Sequence, residues 1–229
     1  MDYFRPADSR GHEQTGWLDS RHTFSFGSYY DPRHMGLSVL RVINDDTVAP
    51  GAGFDTHGHR DMEIISYVME GVIEHQDSLG NRFVVPAGEV QRMSAGSGIL
   101  HSEYNASCTD NLRFLQIWIK PNVQGIKPGY AQANIEQTGQ LTPLVTPDGR
   151  ANSLPIHQNA SLYRLRLAAG ESKTLEAGSR QGYLQVIRGL ASSEKITLQA
   201  GDGVGVITSD TLTVVAEDDG FEALWFDLP

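Results

Sequence analysis

The amino-acid sequence predicts an all-β protein with the strand spacing of a sandwich or barrel. Short apolar runs rich in β-branched and aromatic residues recur along the 229 residues, and several of them alternate with a period of two. Glycine, proline, asparagine and aspartate separate these runs. No stretch of the sequence sustains a helical period over three turns.

The predicted strands share this apolar, β-branched character and follow one another in chain order as LSVLRVI (37–43), EIISYVM (63–69), RFVVP (82–86), LRFLQIWI (112–119), SLYRLRL (161–167), GYLQVI (182–187), DTLTVVA (210–216) and FEALWFD (221–227). The predicted turns between them are APGAG (49–53), DSLGN (77–81), PAG (86–88), AGSG (95–98), AGDG (200–203) and EDDG (217–220).

A polar stretch over residues 120–150 interrupts the strand pattern and holds four of the ten prolines. We interpret it as the seam between two domains, 1–130 and 131–229, with a short helix around 129–136.

A weak internal repeat crosses this seam. YVMEGVIEH followed by VVPAGEV in the first half matches QVIRGLASS followed by TLQAGDGV in the second. Aligning Gly71 with Gly189 places Leu175 and Ala177 opposite His57 and His59. The second half therefore carries the scaffold without the histidines.

Composition and charge limit the classes of binding partner and predict the cellular compartment. The net charge of −10 and the absence of any Lys/Arg run argue against direct binding of nucleic acid or an anionic membrane. No stretch approaches the roughly 20 apolar residues of a membrane span, and the N-terminus lacks the apolar run of a secretory signal. With Cys108 as the only cysteine, we expect a cytoplasmic protein, and we expect a monomer.

Two pairs of residues at i and i+2 carry the chemistry: His57 with His59, and His101 with Glu103. Side chains two apart on a strand share one face, about 7 Å apart along it. On neighbouring strands the two pairs would form one patch of three imidazoles and a carboxylate, a donor set for a divalent transition metal. Zinc or iron fits by ligand type, and affinity order alone favours copper.

The spacing of these residues also resembles a known sequence frame. Gly51, His57-x-His59, Glu63 and Gly71 are spaced as in the first motif of the cupin superfamily, and His101 with Asn105 fits the end of the second. Five further stretches resemble the pirin family, and the bacterial pirin-like quercetin 2,3-dioxygenases in particular: FSFGSYYDP (24–32), LRVINDD (40–46), HQDSLGN (75–81), QRMSAGSGILHSE (91–103) and FEALWFDLP (221–229).

The resemblance implies a bicupin, two β-barrels with metal in the N-terminal one only. The ligands it implies are His57, His59, His101 and Glu103, binding one divalent metal per chain. We expect Fe(II), with copper, nickel, manganese, cobalt and zinc as alternatives. Many pirins have proline where this chain has Gly58, which predicts a slightly looser site.

The activity implied is cleavage of a flavonol such as quercetin by O₂, which yields a depside and carbon monoxide. Glu103 is the candidate base for the 3-hydroxyl proton. Glu63 is either an acceptor for a ligand imidazole or a partner of an arginine, Arg60 or Arg92. Four side chains are predicted to line an apolar mouth: Phe26, Tyr29, Met62 and Tyr104.

A second hypothesis is a regulatory protein in which the metal acts as a sensor and the acidic surface binds a protein partner. No feature of the sequence decides between this role and the enzyme. We interpret His75 as solvent-facing and His157 as having no functional role.

Overall fold

A computed structural model describes residues 2–194, 196–208 and 211–229, and it confirms the all-β prediction. Within these ranges the helical segments are two short 3-10 turns, Ala7–Ser9 and Arg150–Asn152. None of the described helices has the length and apolar character needed to cross a membrane.

The chain forms two compact units. The N-terminal unit comprises Gly11–Ile135 and Ile156–Gln158, and the C-terminal unit comprises Met1–Arg10, Glu136–Pro155 and Asn159–Pro229. The main division falls at 135/136, whereas the sequence predicted 130/131. The first residues join the C-terminal unit because Tyr3–Arg5 pairs with a strand of that unit.

The N-terminal unit is built from eleven of the described strands: β2 Gly11–Gln14, β3 Leu18–His22, β4 Leu40–Val48, β5 Gly53–His59, β6 Glu63–Glu70, β7 Val72–Asp77, β8 Arg82–Pro86, β9 Glu89–Ser94, β10 Ile99–Asn105, β11 Leu112–Ile119 and β12 Gly129–Asn134. They form a seven-stranded sheet in the order β12-β9-β6-β11-β4-β3-β2 and a four-stranded sheet in the order β5-β10-β7-β8.

Strands β6, β9 and β11 each present apolar and polar residues to one face with a period of two. In β6 the sequence on this face is Ile64, Ser66, Val68, and the antiparallel register sets Ser66 beside Gln91 of β9 and Gln116 of β11. The result is one polar layer between two apolar clusters, which consist of Ile64, Met93, Ala95 and Ile99 on one side and Val48, Val68, Ile73, Val85, Leu112 and Phe114 on the other. The polar side chains of this sheet are therefore confined to one level between the two apolar clusters.

The C-terminal unit is a nine-stranded sheet of β1 Tyr3–Arg5, β13 Leu141–Thr146, β14 Leu154–Pro155, β15 Ser161–Leu167, β16 Ser172–Glu176, β17 Gln181–Ser193, β18 Ile196–Leu198, β19 Gly203–Val206 and β20 Thr211–Leu228. Its interior is apolar. Leu175 and Ala177, at the positions that match His57 and His59, are both buried in that core.

The internal repeat is visible in the backbone. Gly71 and Gly189 have φ of 78° and 81°, and a Cβ at either position would lie within about 3 Å of backbone atoms of a neighbouring segment. Gly88 and Gly201 likewise have φ of 91° and 89°. Both halves therefore need glycine at the same two points of the fold, where the left-handed backbone disfavours any side chain.

Two local predictions are wrong. The predicted helix around 129–136 is strand β12, because its backbone pairs along the edge strand β9. The predicted turn at 217–220 lies inside the continuous strand β20, whose first part pairs with β16 and whose second part pairs with β15. Gly220, with φ of 76°, marks the irregularity where this strand changes partners.

Candidate metal centre

The predicted site residues lie on two neighbouring strands of the four-stranded sheet. Strand β10 pairs antiparallel with β5 so that His101 is opposite His57 and Ile99 is opposite His59. A shift in register between His101 and Glu103 offsets the two strands there. On its other side β10 pairs with β7, which places His75 opposite Glu103.

The three predicted histidine ligands meet in space. The ring centroids of His57, His59 and His101 are 4.5 to 4.9 Å apart. One ligand atom from each lies within 4.8 Å of the others. The i and i+2 spacing therefore brings together the three imidazoles of the predicted patch, while the group that contains Glu103 shares only His101 with them.

The contact between His57 and His101 suits a shared ion. Their Nε2 atoms are 3.1 Å apart. Two imidazole nitrogens bound at about 2.1 Å to one ion, at a right angle, are about 3.0 Å apart. His57 Nδ1 lies 2.7 Å from the carbonyl oxygen of Asp55, to which it donates its proton, and this leaves the Nε2 lone pair directed at the cluster.

The electrostatics of the cluster favour the neutral form of His59 and His101. Burial, and then the neighbouring histidines, lower the pKa of His59 to about 4. The same causes, burial first and then His57 and His75, lower the pKa of His101 to about 3. A neutral imidazole is the form that binds metal, so these two side chains are ready ligands at neutral pH.

Glu103 sits at the level of the polar layer. Gln91 Nε2 and Ser66 Oγ donate to its Oε1 at 2.5 and 3.2 Å, and Gln116 Nε2 donates to its Oε2 at 2.7 Å. A carboxylate offers about four acceptor positions, so Oε2 keeps one for a further partner. The three donors come from the seven-stranded sheet and fix the orientation of the carboxylate.

The Glu103 carboxylate is buried without a counter-ion among the residues that the structure describes. The side chain is only 2% exposed, and among the residues that the structure describes no Lys, Arg or His forms an ion pair with it. A buried charge without an opposite charge is costly. The Glu103 carboxylate lies within 4.8 Å of a ligand atom of His101, which also belongs to the cluster of three imidazoles, and this combination of donors fits a divalent cation.

His75 also lies at this site, although its sequence context predicted that it faces solvent. It is 0% exposed, and it lies with His101 and Glu103 in a second group whose ligand atoms are within 4.8 Å of one another. A signal was present in the sequence: Ile73, His75 and Asp77 alternate with Glu74 and Gln76, so a period of two places His75 on the face of Ile73.

A cavity of about 460 Å³ opens beside the cluster. It is lined by Gly58, His59, Arg60, Ser78, Gly98, Ile99 and Leu100. Its volume lies in the usual range for sites that bind small organic molecules, about 300–1,000 Å³. One guanidinium, a hydroxyl and apolar walls give it the character of a site for a mostly apolar, oxygen-bearing ligand.

The four side chains predicted to line the mouth do not line this cavity. Tyr104 is wrong for that role: it alternates with Glu103 along β10, so its hydroxyl points to the other face and donates to Asp55. Met62 packs against the apolar cluster of Ile64. Phe26 contacts Trp118, whose ring lies 5.0 Å from that of His59. The ring centroid of Tyr29 lies 6.4 Å from that of His22.

Glu63 lies on the opposite face of β6 from the polar layer. Its neighbours Ile64 and Ser66 alternate with it, which turns its carboxylate away from the histidine cluster. Ser94 Oγ donates to Glu63 Oε2 at 2.9 Å, and His157 Nδ1 lies 3.3 Å from Oε1. Burial raises the pKa of Glu63, while Ser94, Arg92 and His157 oppose that change. Glu63 therefore does not face the predicted ligand imidazoles, and within the described residues it forms no ion pair with Arg60 or Arg92; its partners are Ser94 and His157.

Two protein families and several known proteins match most of the chain. The family described as Pirin matches residues 3–119, and the family described as Quercetinase C-terminal cupin domain matches residues 143–228. The chain is 47% identical over 230 residues to an Escherichia coli protein named quercetin 2,3-dioxygenase, covering 100% of this chain and 99% of that protein. It is 42% identical over 220 residues to a pirin-like protein of Caulobacter vibrioides, covering 94% of both.

Two solved structures also resemble this chain. The crystal structure of the Escherichia coli bacterial pirin YhhW in complex with nickel(II) superposes with a TM-score of 0.95 at 48% identity, covering 99% of this chain and 98% of that one. The Acinetobacter baumannii quercetin 2,3-dioxygenase matches with a TM-score of 0.74 at 19% identity, covering 96% of this chain and 84% of that one, which shows a shared fold.

Proposed function

The chain belongs to the pirin family, and from that premise we propose that it is a metal-dependent dioxygenase that cleaves flavonols such as quercetin with O₂. The observation that carries the proposal is the buried Glu103 carboxylate, which forms no ion pair among the described residues and lies within 4.8 Å of ligand atoms of His75 and His101. The name of the Escherichia coli relative supports the substrate class.

Four residues would hold the metal: His57, His59, His101 and Glu103. We propose one ion per chain and expect Fe(II), while the nickel complex of the relative keeps nickel as the first alternative. When bound, such an ion supplies Lewis acidity at the substrate hydroxyl and a route for electrons toward O₂. Four protein ligands leave room for substrate, as an open catalytic site requires.

Glu103 is the proposed acceptor for the proton of the flavonol 3-hydroxyl. Its Oε2 has one acceptor position left for the metal after Gln116 has donated to it, and its Oε1 gains a position for the proton when Ser66 donates instead to Gln116 Oε1, 3.1 Å away. Gln91, Ser66 and Gln116 hold the carboxylate still, so the proton acceptor stands in a fixed place before the substrate arrives. The two apolar clusters above and below exclude water from this level.

The cavity beside His59 is the proposed binding place of the flavonol rings. Ile99 and Leu100 provide apolar walls, and Leu100 is 52% exposed, which leaves it free to cover an aromatic ring. Arg60 offers a guanidinium to the phenolic oxygens of the substrate. In the overall reaction flavonol and O₂ give a depside and carbon monoxide, so both atoms of O₂ appear in the depside.

Oxygen uptake tests this function. Metal-free protein is loaded with Fe(II) without oxygen and then mixed with quercetin and O₂, while flavonol absorbance, dissolved O₂ and carbon monoxide are followed together. We expect one O₂ consumed and one carbon monoxide released per quercetin. The control is His101→Ala treated in the same way, which should be inactive. Equal rates of flavonol cleavage for the metal-loaded wild type and the control would refute the proposal.

A further inference from the structure

Tyr130 lies beside the polar layer that holds Glu103, on strand β12 at the edge of the seven-stranded sheet. The register of β12 with β9 sets Gln132 opposite Gln91. The Tyr130 hydroxyl lies 2.9 Å from Gln91 Oε1 and 2.7 Å from Gln132 Oε1, so its proton is within reach of both oxygens. Neither family match covers this strand, so the resemblance to a family assigns Tyr130 no role.

The Tyr130 ring is held in place by two other rings. The Phe83 ring stacks on it with a centroid distance of 4.9 Å and an interplanar angle of 12°. The buried His75 ring contacts it with a centroid distance of 4.5 Å and an interplanar angle of 31°. Burial first, and then nearby carboxylates with Glu103 foremost, raise the pKa of the Tyr130 hydroxyl well above its ordinary value. The hydroxyl is therefore a proton donor in a fixed place at neutral pH.

The Gln91 amide connects this hydroxyl to the Glu103 carboxylate. Its Nε2 donates to Glu103 Oε1 at 2.5 Å and to Ser66 Oγ at 2.9 Å, which leaves its oxygen directed at Tyr130. Gln91 is 2% exposed, and Tyr130 is the one donor to its oxygen among the described residues. Without that donor a buried acceptor is unsatisfied, which is costly and favours other orientations of the amide over the one that donates to Glu103.

Gln132 cannot replace Tyr130 as the donor to Gln91. Its Nε2 donates to the carbonyl oxygen of Val84 and to Glu89 Oε2, both at 3.0 Å. Rotating the Gln132 amide by 180° would bring its oxygen against those two acceptors, so its oxygen also faces Tyr130. The two glutamine oxygens therefore share a single donor, the Tyr130 hydroxyl.

We propose that Tyr130 is a positioning residue of the metal centre: its hydroxyl fixes the orientation of the Gln91 amide and, through that amide, the orientation of the Glu103 carboxylate. Tyr130 contacts neither the metal nor the substrate and acts only through Gln91. The inference rests on the proposed function and adds a residue to its site. It also gives strand β12 a part in that site, because the pairing of β12 with β9 brings Tyr130 to the polar layer.

Exchange of the Gln91 amide protons with solvent, followed by nuclear magnetic resonance, tests the contact in the metal-free full chain. The signals of these protons are assigned by their loss in Gln91→Met. Tyr130→Phe keeps the ring and removes only the hydroxyl, and we expect it to speed their exchange by about fivefold or more, the scale of one lost hydrogen bond. The matched control is Tyr104→Phe, which removes a hydroxyl next to Glu103 in the chain but on the other face of β10. The control should keep the wild-type rate, and equal rates in the two Phe variants would overturn the inference.

Ni(II) affinity tests the consequence for the metal centre, and Ni(II) is the probe because the structure of a relative contains it. Loss of a residue that supports a ligand costs about tenfold or more in metal affinity, so Tyr130→Phe and Gln91→Met should each weaken binding by about that factor. Tyr104→Phe should leave it unchanged. Because Tyr130 acts through Gln91, the variant with both changes should bind no more weakly than Gln91→Met alone. Losses that multiply in that variant would make Tyr130 a purely structural residue and overturn the inference.

The outcomes separate this inference from the proposed function. If the wild type binds Ni(II), His57→Ala loses it, and Tyr130→Phe binds it as tightly as Tyr104→Phe, the metal centre stands and the role of Tyr130 is overturned. If the wild type does not bind Ni(II), both fall. Should Tyr130→Phe show no cooperative melting, the wild type alone decides. A hydroxyl that donates to Gln91 gives a slowly exchanging Tyr130 hydroxyl proton in the resonance spectrum, and the absence of that signal would overturn the inference.

Discussion

Replacing Glu103 by Gln keeps the size of the side chain and one oxygen but removes the negative charge. The fold should tolerate this change because the polar layer can pair again. In the wild type Ser66 Oγ lies 3.1 Å from Gln116 Oε1. If the Gln116 amide rotates by 180° in the variant, the Gln116 oxygen accepts from the new amide nitrogen at position 103. The Gln116 nitrogen then donates to Ser66 Oγ. Each donor then keeps an acceptor, so the metal-free variant should unfold cooperatively, as the wild type does.

The loss appears when metal is added. Substitution of a residue that merely supports a ligand costs about 10- to 100-fold in metal affinity, so we take about 100-fold for a charged ligand. At a metal concentration of about 100 times the wild-type Kd, binding stabilises the wild type by about 2.7 kcal/mol and the variant by about 0.4 kcal/mol. At about 2–4 °C per kcal/mol, the metal-induced rise in Tm is about 5–11 °C for the wild type and about 1–2 °C for the variant.

Thermal melting with and without metal measures this difference, and Glu63→Gln is the control. Glu63 is a buried carboxylate of the same unit, but it faces away from the cluster, so its variant should keep the wild-type rise. Flavonol cleavage per bound metal then separates the ligand from the base. If Glu103 is the base, that quantity falls by roughly 10²-fold or more even at full metal occupancy. A wild-type rise in Tm together with wild-type activity per metal would refute both roles.

Three further outcomes are expected. His57→Ala and His101→Ala should each lose most of the metal yet melt cooperatively in far-UV circular dichroism, because apolar clusters form the core; a non-cooperative melt would make the site structural. Gly71→Ala should lower the free energy of unfolding in urea by at least about 1 kcal/mol more than Gly80→Ala does. Both glycines have positive φ, but only at Gly71 would a Cβ meet backbone, 2.8 Å from the carbonyl oxygen of Asn111. Equal losses for the two variants would contradict this reasoning. Burial raises the pKa of Asp46 to about 7 from 3.8, so its contribution to the stability of the metal-free protein is fully present below about pH 4 and is lost as pH rises through about 7. Asp46→Asn should therefore gain up to about 4 kcal/mol over the wild type between those pH values, and urea unfolding curves that keep a constant difference across that range would contradict the assignment.

The proposed metal ligands could be found from the sequence because the chemistry follows local strand geometry. His57 with His59 and His101 with Glu103 are each two residues apart, and the strand alone sets each pair on one face. That the two strands are neighbours does not follow from spacing. It followed from the resemblance to a family, and the pairing of His101 with His57 bears it out.

His75 could not be placed with equal ease because two signals competed. Its segment ends in the turn residues Asp77 to Asn81, which argued for a solvated hairpin, while the alternation with Ile73 argued for burial. The alternation decided the outcome because Asp77 turns back onto the strand and caps the hairpin with its own carboxylate.

The remaining errors come from pairing between distant segments. GYAQAN has residues that suit a helix, yet the edge of β9 offers hydrogen bonds along its whole length, and the backbone takes them as strand β12. The acidic stretch 217–220 resembles a turn, yet it is the exposed middle of β20, whose two parts pair with different strands. Local propensity carries no information on such partners.

The central claim is that one divalent metal is bound within residues 50–105 of the N-terminal unit. Elemental analysis of untagged protein, expressed per chain and compared with His57→Ala and His101→Ala, tests it most directly. We expect about one metal per chain in the wild type and a small fraction of that in each variant. Two tightly held metals per chain, or the same content in the wild type and both variants, would contradict it.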